Sequence, residues 1–238
     1  MTKASSLLCV LLNVFGASAA RYDDYILAPE QRSVSPQAIY ATDGSVTNAE
    51  ASCTGTGNSQ DVTFGANASL IVDFGKNIAG TVQFDVQHIS SPNEFIGVSF
   101  TESSLWISPY HCDATGDSLG FDNPLWFKIS SEGPYAADKQ HQRGGFRYMS
   151  LWHNTTGTVT IQNLSVNFTA SPGMADLRGY SGYFHSDSEK VNSVWYAGAY
   201  TNQLCEGDPA YGNALSMDTD WYYNGTIGSK HQNRITPS

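Results

Sequence analysis

The chain has 238 residues, 40% of them hydrophobic and 12% aromatic, which supplies enough apolar material for a sizeable core and excludes a disordered chain. Only 14% of the residues are charged, against about 25% in an average soluble protein. Twelve basic and 22 acidic residues give a formal charge of −10, which argues against electrostatic capture of nucleic acid or of an anionic membrane surface.

The first twenty residues have the pattern of a cleavable signal peptide. Lys3 supplies a positive charge, residues 7–15 form an apolar run, and the small residues 17–19 form a cleavage pattern. No later stretch approaches the roughly 20 apolar residues that a membrane-spanning helix needs. The sequence therefore predicts a signal peptide over residues 1–20 and a secreted, extracellular protein without a membrane anchor.

Five Asn-x-Ser/Thr sequons fit the same compartment. They predict N-glycosylation at Asn67, Asn154, Asn163, Asn167 and Asn224. Asn163 and Asn167 alternate with apolar residues in a strand-like stretch, so both are expected on one wet face of a strand at the outside of a β-layer.

An odd number of cysteines remains once Cys9 is removed with the signal peptide. Cys53 and Cys112 both lie in loop-like sequence, and we predict a disulfide between them. Cys205 ends a helix-like stretch and is either a buried thiol or a cysteine that has lost its partner. The cysteine spacing matches no zinc motif, and the sequence predicts no metal centre of this kind.

Short alternating segments dominate the middle of the chain. Residues 21–60, with two prolines and a Gly/Ser-rich stretch, are predicted as an extended N-terminal arm. Residues 61–170 are predicted as a mainly β domain, a β-sandwich or jelly roll, because short strands alternate with Gly, Asn, Asp and Pro. The expected strands cover residues 69–74, 81–87, 95–100, 125–129, 146–152, 159–161 and 164–168.

A linker and a helix are predicted over residues 171–205. Ser186 and Glu189 have the spacing of a capping box, in which Ser186 caps the first turn and Glu189 reaches back to it. An apolar face at helical spacing follows, formed by Val191, Val194, Trp195 and Ala199. The helix is therefore expected from 188 to 204, and residues 206–238 show little periodicity after it.

The segment 102–122 is the best candidate for a ligand-facing loop. Trp106 and Tyr110 offer flat faces for stacking on sugar C–H groups, and Trp126 on the next strand extends the same surface. Asp117 and Asp122 add carboxylates that accept hydrogen bonds from hydroxyls or, as a weaker alternative, bind calcium. The competing interpretation is a structural loop tied at Cys112, with its aromatic side chains packed into the core.

No catalytic residue is predicted from the residues alone. The six histidines show no metal-binding spacing, and most carboxylates lie in loop sequence, where a solvated side chain is the ordinary explanation. Asp218 and Asp220 form a close pair, but they lie in the irregular end of the chain. Apart from the calcium alternative, the sequence predicts no cofactor.

Three stretches carry a resemblance to a known family. Residues 71–80 are IVDFGKNIAG, residues 144–152 are GGFRYMSLW, and residues 176–184 are DLRGYSGYF, followed by a helix over 191–205. Together they resemble the α-L-rhamnosidases of glycoside hydrolase family 78, in particular secreted members from filamentous fungi. The resemblance implies an inverting hydrolase acting on terminal α-L-rhamnose of plant glycosides, whose catalytic acids lie in a barrel of six helical hairpins after the linker helix.

The resemblance reaches only the approach to that barrel. Residues 221–228 still look like this approach, and the sequence given ends at Ser238, so residues 206–238 are interpreted as a truncated start of an (α/α)6 barrel. No catalytic residue is carried over, and the chain is expected to be an inactive, monomeric N-terminal part with a rhamnose-containing carbohydrate as its partner. The alternatives are a secreted, non-catalytic carbohydrate-binding module and a structural fragment without a function of its own.

Overall fold

The computed structural model of the chain describes residues 22–53, 61–113 and 123–206. Several predicted features lie outside these ranges. They are the signal peptide, Asp117, Asp122, Asn224, the pair Asp218 and Asp220, and the approach to a barrel after residue 206.

The described residues are mainly β, which confirms the predicted fold class. They form ten strands and one α-helix, and the paired strands run antiparallel. The elements are β1 (Ser33–Val34), β2 (Ala38–Asp43), β3 (Val46–Thr47), β4 (Val62–Phe64), β5 (Ser69–Ile89), β6 (Glu94–Thr101), β7 (Leu125–Ile129), β8 (Gly133–Ala136), β9 (Arg143–His153), β10 (Val159–Phe168) and α1 (Glu189–Cys205). The one helix in the described part is not long and apolar enough to cross a membrane.

The long strand β5 belongs to both layers of the sandwich. Its first part, residues 69–73, pairs with β2 and β9, and its second part, residues 80–89, pairs with β10 and β8. From there β6 and β7 extend one layer beyond β9, while β4 and β3 extend the other beyond β10. The sequence predicted two separate strands in place of β5, because the register irregularities between Asp73 and Gly80 fall in its middle.

The core lies between the two layers. Val82, Phe84 and Val86 are buried, which confirms the inward face predicted from their alternation. The Phe84 ring meets the Phe127 ring of β7 at a centroid distance of 5.2 Å and so joins the layers. Phe146 packs edge-on against other core rings in the same way, and removing a ring of this kind from a core costs about 3–5 kcal/mol.

The predicted N-terminal arm differs from the structure. Residues 33–47 supply three strands, of which β1 pairs with β10, β2 with β5, and β3 with β4. Pro36 precedes β2 and Gly44 separates β2 from β3. Of the residues that suggested an irregular chain, Pro36 lies between β1 and β2, and the Gly/Ser-rich stretch lies outside the described residues. β1 and β3 have two residues each, which is too short to show a period of two.

The helix α1 begins and ends one residue after its predicted bounds, but its capping box does not form. Ser188 is the N-cap residue and its side chain makes no capping hydrogen bond. The Glu189 carboxylate accepts from the Tyr25 hydroxyl instead of reaching back to Ser186. Ser186 donates through its hydroxyl to Asn192 Oδ1 at 3.0 Å. A tertiary contact to the N-terminal segment has replaced the local one.

The helix buries a face different from the apolar one that indicated it in the sequence. Its buried residues are Asn192, Tyr196, Tyr200, Gln203 and Leu204. Val191, Val194 and Trp195, which gave the helix its predicted apolar spacing, are 48%, 66% and 38% exposed. Both sets have helical spacing, and the buried set contains polar groups that find partners in the fold.

The predicted disulfide between Cys53 and Cys112 is not formed. Cys112 is buried beside β6, where its Sγ accepts the backbone N–H of Phe100 at 3.4 Å. Cys53 ends a short 3-10 segment that lies against β2, β4 and β10. Three strands separate β4 from β6 in the sheet order, so the two thiols lie in different parts of the fold.

Four of the five predicted glycosylation sites lie among the described residues. Asn67, Asn154 and Asn167 are exposed, and Asn163 is half-buried, with its amide donating to Asp85 Oδ2 at 2.7 Å. Ser165 was expected on the same outer face, but it is fully buried because the register shifts between Gln162 and Ser165. Glycosylation of these asparagines stays a prediction.

Candidate functional site

An aromatic surface lies across β6, β7 and β9, and the register of these strands builds it. Gly97 of β6 lies opposite Trp152 of β9 on one side and Trp126 of β7 on the other. Directly opposed residues project from the same face of a sheet. The two indoles therefore flank a residue that has no side chain.

Gly97 is required by the position of the Trp152 ring. A Cβ at residue 97 would lie 2.5 Å from Trp152 Nε1 and 2.7 Å from Cζ2, which is closer than real Cβ contacts. The absence of a side chain allows the indole to lie over the β6 backbone. Trp152 is 8% exposed in this position.

Two exposed rings stand against the buried one. Trp126 meets Trp152 at a centroid distance of 4.3 Å and an angle of 72°, and Tyr110 meets it at 5.4 Å and 66°. Both are edge-to-face contacts, which fix the orientation of aromatic rings. Trp126 is 49% and Tyr110 66% exposed. We call Tyr110, Trp126 and Trp152 the aromatic platform.

The Trp152 indole N–H is buried without a hydrogen-bond partner among the described residues. Leaving a buried donor unpaired costs about 1–3 kcal/mol, so native proteins rarely do it without a reason. The ring is held here by its contacts with Gly97 and with the two exposed aromatic side chains. Its placement therefore serves the shape of the platform rather than hydrogen bonding.

The loop that carries Tyr110 is fastened to β6 at several points. The Ser99 hydroxyl donates to the Ser108 carbonyl oxygen, and the Glu102 N–H donates to Asp113 Oδ2 at 2.8 Å. Burial raises the pKa of the Asp113 carboxyl. Tyr110 is thus presented by a segment tied down on both sides. The alternative in which the loop aromatics pack into the core is wrong, because Tyr110 remains largely exposed.

The structure brings together only part of the predicted binding set. Tyr110 and Trp126 meet in the platform, whereas Trp106 is 66% exposed and has no ring contact with another described aromatic side chain. Asp117 and Asp122 lie outside the described residues. Sequence reasoning missed Trp152 and Gly97. The outward position of Trp152 in its strand was the available signal, but its register with Gly97 was not visible.

An open cleft of about 600 Å³ adjoins the platform. One side is formed by β7, including Trp126 and Phe127, and the other by the chain between β8 and β9. Asp138 and His141 line that second side, and Asp138 Oδ1 lies 2.6 Å from His141 Nδ1. Arg143 lies at the base of the cleft, where its guanidinium donates to the Asn123 carbonyl at 2.7 Å.

A buried ionisable pair lies at the start of β6 and the end of β9. Glu94 Oε2 is 2.8 Å from His153 Nε2, and the two residues are 2% and 1% exposed. His153 Nδ1 lies 2.7 Å from the Gly65 carbonyl, which only accepts, so this nitrogen carries a proton. Burial raises the pKa of Glu94, but hydrogen bonds from Thr155, His153 and Ser90 outweigh it and hold the pKa at about 2. Both side chains are closed to a substrate, so the pair is structural.

The family-like stretches meet at the joint between the sandwich and the helix. Asp73 accepts two hydrogen bonds from Arg147, from Nε and Nη2, each at 2.8 Å. These bonds hold the pKa of the Asp73 carboxyl below its usual value. The Tyr200 hydroxyl of α1 donates to the Asn77 carbonyl at 2.7 Å, and burial raises the pKa of Tyr200. The shared residues thus connect β5, β9 and α1.

The predicted calcium alternative has no support among the described acids. Across residues 22–53, 61–113 and 123–206, no group of three or more His, Cys, Asp or Glu side chains is arranged to hold a metal ion. Asp113 is engaged by the backbone of Glu102.

The chain matches no protein-family model and no curated protein. Among solved structures it is similar to a rhamnosidase from Klebsiella oxytoca with rhamnose bound, with a TM-score of 0.49, 14% identity, and coverage of 79% of this chain and 37% of that chain. It is also similar to a GH78 family rhamnosidase of Bacillus sp. GL1, with a TM-score of 0.47, 20% identity, and coverage of 68% and 15%. A third similar structure is the lectin binding domain of lectinolysin complexed with Lewis b, with a TM-score of 0.40, 12% identity, and coverage of 60% and 99%. The chain spans less than half the length of either rhamnosidase, and no activity is assigned from likeness at this level.

Proposed function

We propose that the described residues form a carbohydrate-binding β-sandwich and that the aromatic platform is its sugar-contacting surface. The main support is that Tyr110 and Trp126 remain exposed while both make edge-to-face contacts with the buried Trp152. Sugar rings present C–H groups on their faces, which pack on aromatic rings. Rings already held in place lose little conformational entropy when a ligand binds.

The charge of the chain fits a neutral ligand better than an anionic one. The formal charge is −10, and the described platform residues are uncharged. Electrostatic repulsion therefore disfavours polyanions, whereas stacking and hydroxyl hydrogen bonds do not depend on net charge. Neutral sugar units are not repelled by the chain, and they offer both C–H faces for stacking and hydroxyls for hydrogen bonds.

Glycan binding by the full chain tests this proposal. A glycan array including rhamnose-terminated oligosaccharides identifies a ligand, and calorimetry then compares the wild type with two variants. Trp126→Ala should weaken binding at least tenfold, because it removes an exposed ring of the platform. Trp106→Ala is the matched control, since it removes a tryptophan that is even more exposed but stands outside the platform, and it should change the affinity less than twofold. Equal binding by wild type and Trp126→Ala would overturn the proposal.

We further propose that this sandwich and α1 belong to an α-L-rhamnosidase-like glycoside hydrolase acting on terminal α-L-rhamnose of plant glycosides. The supporting observation is that residues from all three family-like stretches contact one another, through Arg147 with Asp73 and Tyr200 with Asn77. The first contact joins β9 to β5, and the second fastens α1 to β5.

The 238-residue chain is proposed to lack hydrolytic activity, because the family that its sequence resembles carries its catalytic acids in a barrel after the linker helix. Incubation of the purified chain with an aryl α-L-rhamnoside should release no rhamnose, and measurable release would contradict this. Secretion belongs to the same proposal. The protein recovered from the medium of a secreting host should begin near residue 20 or 21, as N-terminal sequencing would show.

A further inference from the structure

The cleft beside the platform shares Trp126 with it. Its volume of about 600 Å³ lies within the range of about 300–1,000 Å³ typical of small-molecule sites. Because one half-exposed indole borders both the platform and the cleft, the cleft is a recess immediately next to a ring stacked on Trp126. A ligand longer than one sugar unit has this recess as a continuation of its binding surface.

The far side of the cleft carries a fixed polar pair. Asp138 Oδ1 accepts the backbone N–H of His141 at 3.0 Å and lies 2.6 Å from its Nδ1, across the short 3-10 segment Lys139–His141. The side chains of Asp138 and His141 are 64% and 56% exposed. The pair is therefore both held in one geometry and accessible. Because His141 Nδ1 faces the Asp138 carboxylate, the ring presents Nε2 to the cleft, and the pair offers acceptors to sugar hydroxyls, which donate.

The charge in the cleft is close to balanced. Asp138 contributes a negative charge and Arg143 a positive one. The Arg143 guanidinium is buried, donates to the Asn123 carbonyl, and lies 5.6 Å from the centre of the Phe100 ring. It is part of the wall rather than a free cation for an anionic ligand, so the cleft favours a neutral, hydroxyl-rich group.

We propose that this cleft is a second sugar subsite, in which Asp138 and His141 hydrogen-bond the hydroxyls of the unit next to the one stacked on Trp126. The preferred ligand is then a neutral oligosaccharide of at least two units rather than a monosaccharide. This inference rests on the proposed carbohydrate binding by the platform and adds to it the direction and minimum length of the ligand.

Calorimetry or NMR titration of the full chain with L-rhamnose and with a neutral rhamnosyl-glucose disaccharide tests the subsite. The wild type should bind the disaccharide at least tenfold more tightly than the monosaccharide. Asp138→Ala and His141→Ala should each remove most of that difference and leave monosaccharide binding within twofold. Trp126→Ala should lower the affinity for both the monosaccharide and the disaccharide. Lys139→Ala, in the same 3-10 segment, is the matched control and should leave the affinity for both sugars unchanged.

The outcomes separate the two proposals. If Trp126→Ala weakens both sugars while Asp138→Ala and His141→Ala change neither, the platform stands and the subsite is wrong. Equal wild-type affinity for the two sugars also overturns the subsite. If the wild type binds neither of the two titrated sugars and no glycan on the array, the proposed function fails and the subsite fails with it. Thermal unfolding of each variant distinguishes lost binding from lost folding.

Discussion

Gly97 lies directly opposite Trp152 on the neighbouring strand, and the Trp152 indole occupies the space that a side chain at residue 97 would need. This relationship sets the floor on which Tyr110 and Trp126 stand. The size of a single residue in β6 thus determines whether three aromatic rings from two strands and a loop can meet.

Gly97→Ala should disrupt the platform. The added methyl group would lie 2.5 Å from Trp152 Nε1, so the indole must move, and overpacking of this kind costs about 1–3 kcal/mol. Denaturant unfolding should show that loss, and glycan affinity should fall at least tenfold. Gly173→Ala is the control, because a Cβ there meets no atom within 4 Å, and both measurements should stay near the wild-type values. Unchanged glycan affinity in Gly97→Ala would contradict the role assigned to Trp152.

Trp152→Phe should be far less destabilising than Trp152→Ala. The phenylalanine keeps an aromatic floor and removes an N–H that has no partner among the described residues, whereas alanine leaves a cavity that costs about 3–5 kcal/mol. Denaturant midpoints of the two variants at equal slope provide the comparison. If both variants lost the same free energy of unfolding, the indole N–H would have to be making a stabilising interaction.

The Glu94 carboxylate should make stability fall in acid. Its pKa is lowered from 4.5 to about 2 in the fold, so its contribution is fully present above pH 4.5 and is lost as the pH falls towards 2. A shift of that size corresponds to about 3 kcal/mol, at 1.36 kcal/mol per pKa unit. Urea unfolding at pH 7, 4.5, 3 and 2 measures it. Glu94→Gln should be less stable at pH 7 but lose less between pH 4.5 and 2. If the free energy of unfolding fell equally with pH in wild type and variant, a group other than Glu94 would be responsible for the loss of stability in acid.

Arg178→Ala should release the N-terminal segment. The guanidinium donates to the backbone carbonyls of Asp23, Ile26 and Ala28 at 2.7 to 2.9 Å and pairs with the Asp23 carboxylate. Truncation removes the only charged partner shown for these carbonyls, and a hydrogen bond to a charged group contributes a net of about 1.5–3 kcal/mol. Limited proteolysis should then cut within residues 22–30 faster than in the wild type.

The exposed Lys190 on α1 provides the comparison for that experiment. Lys190→Ala also removes one positive charge, next in sequence to Glu189, which contacts Tyr25, but among the described residues no hydrogen bond to a backbone carbonyl is shown that links it to the N-terminal segment. Its cleavage rate should match the wild type. If Arg178→Ala and Lys190→Ala were cut at equal rates, the guanidinium would not be what holds residues 22–30 in place.

The interior of the sandwich was predictable because a period of two reports burial directly. Val82, Phe84 and Val86 were placed correctly, and the bounds of β7 were found to the residue. The continuity of β5 was not predictable, because its irregular stretch between Asp73 and Gly80 has the composition of a loop. Strands of two residues, such as β1 and β3, are too short to show any period.

The buried face of α1 shows a different limit. Val191, Val194 and Trp195 match an apolar stripe better than Tyr196 and Tyr200 do, yet the tyrosines are buried. The Tyr200 hydroxyl finds a carbonyl partner at Asn77, which removes the usual cost of burying it. That partner lies far away in the sequence, so only the tertiary fold could reveal it.

The sequence revealed the exposed residues of the candidate site but not the residues between them. Aromatic residues in a loop and the following strand pointed to Tyr110 and Trp126, because their flat faces can stack on sugar C–H groups. Which residue stands between them depends on the register of β6 with its neighbours, and a single sequence does not fix register. The polar pair of the cleft was missed for a similar reason, since Asp138 and Trp126 line one cleft but come from parts of the chain that are not neighbours in the sheet.

Sugar binding by the platform is tested most directly by NMR of the five tryptophan indole N–H groups, labelled with ¹⁵N, during titration of the full chain with a rhamnose-terminated oligosaccharide. The Trp126 and Trp152 signals should shift together and saturate at one affinity, while the Trp106 and Trp195 signals should stay in place. Unchanged Trp126 and Trp152 signals at saturating sugar, or shifts confined to Trp106 or Trp195, would contradict carbohydrate binding at this surface.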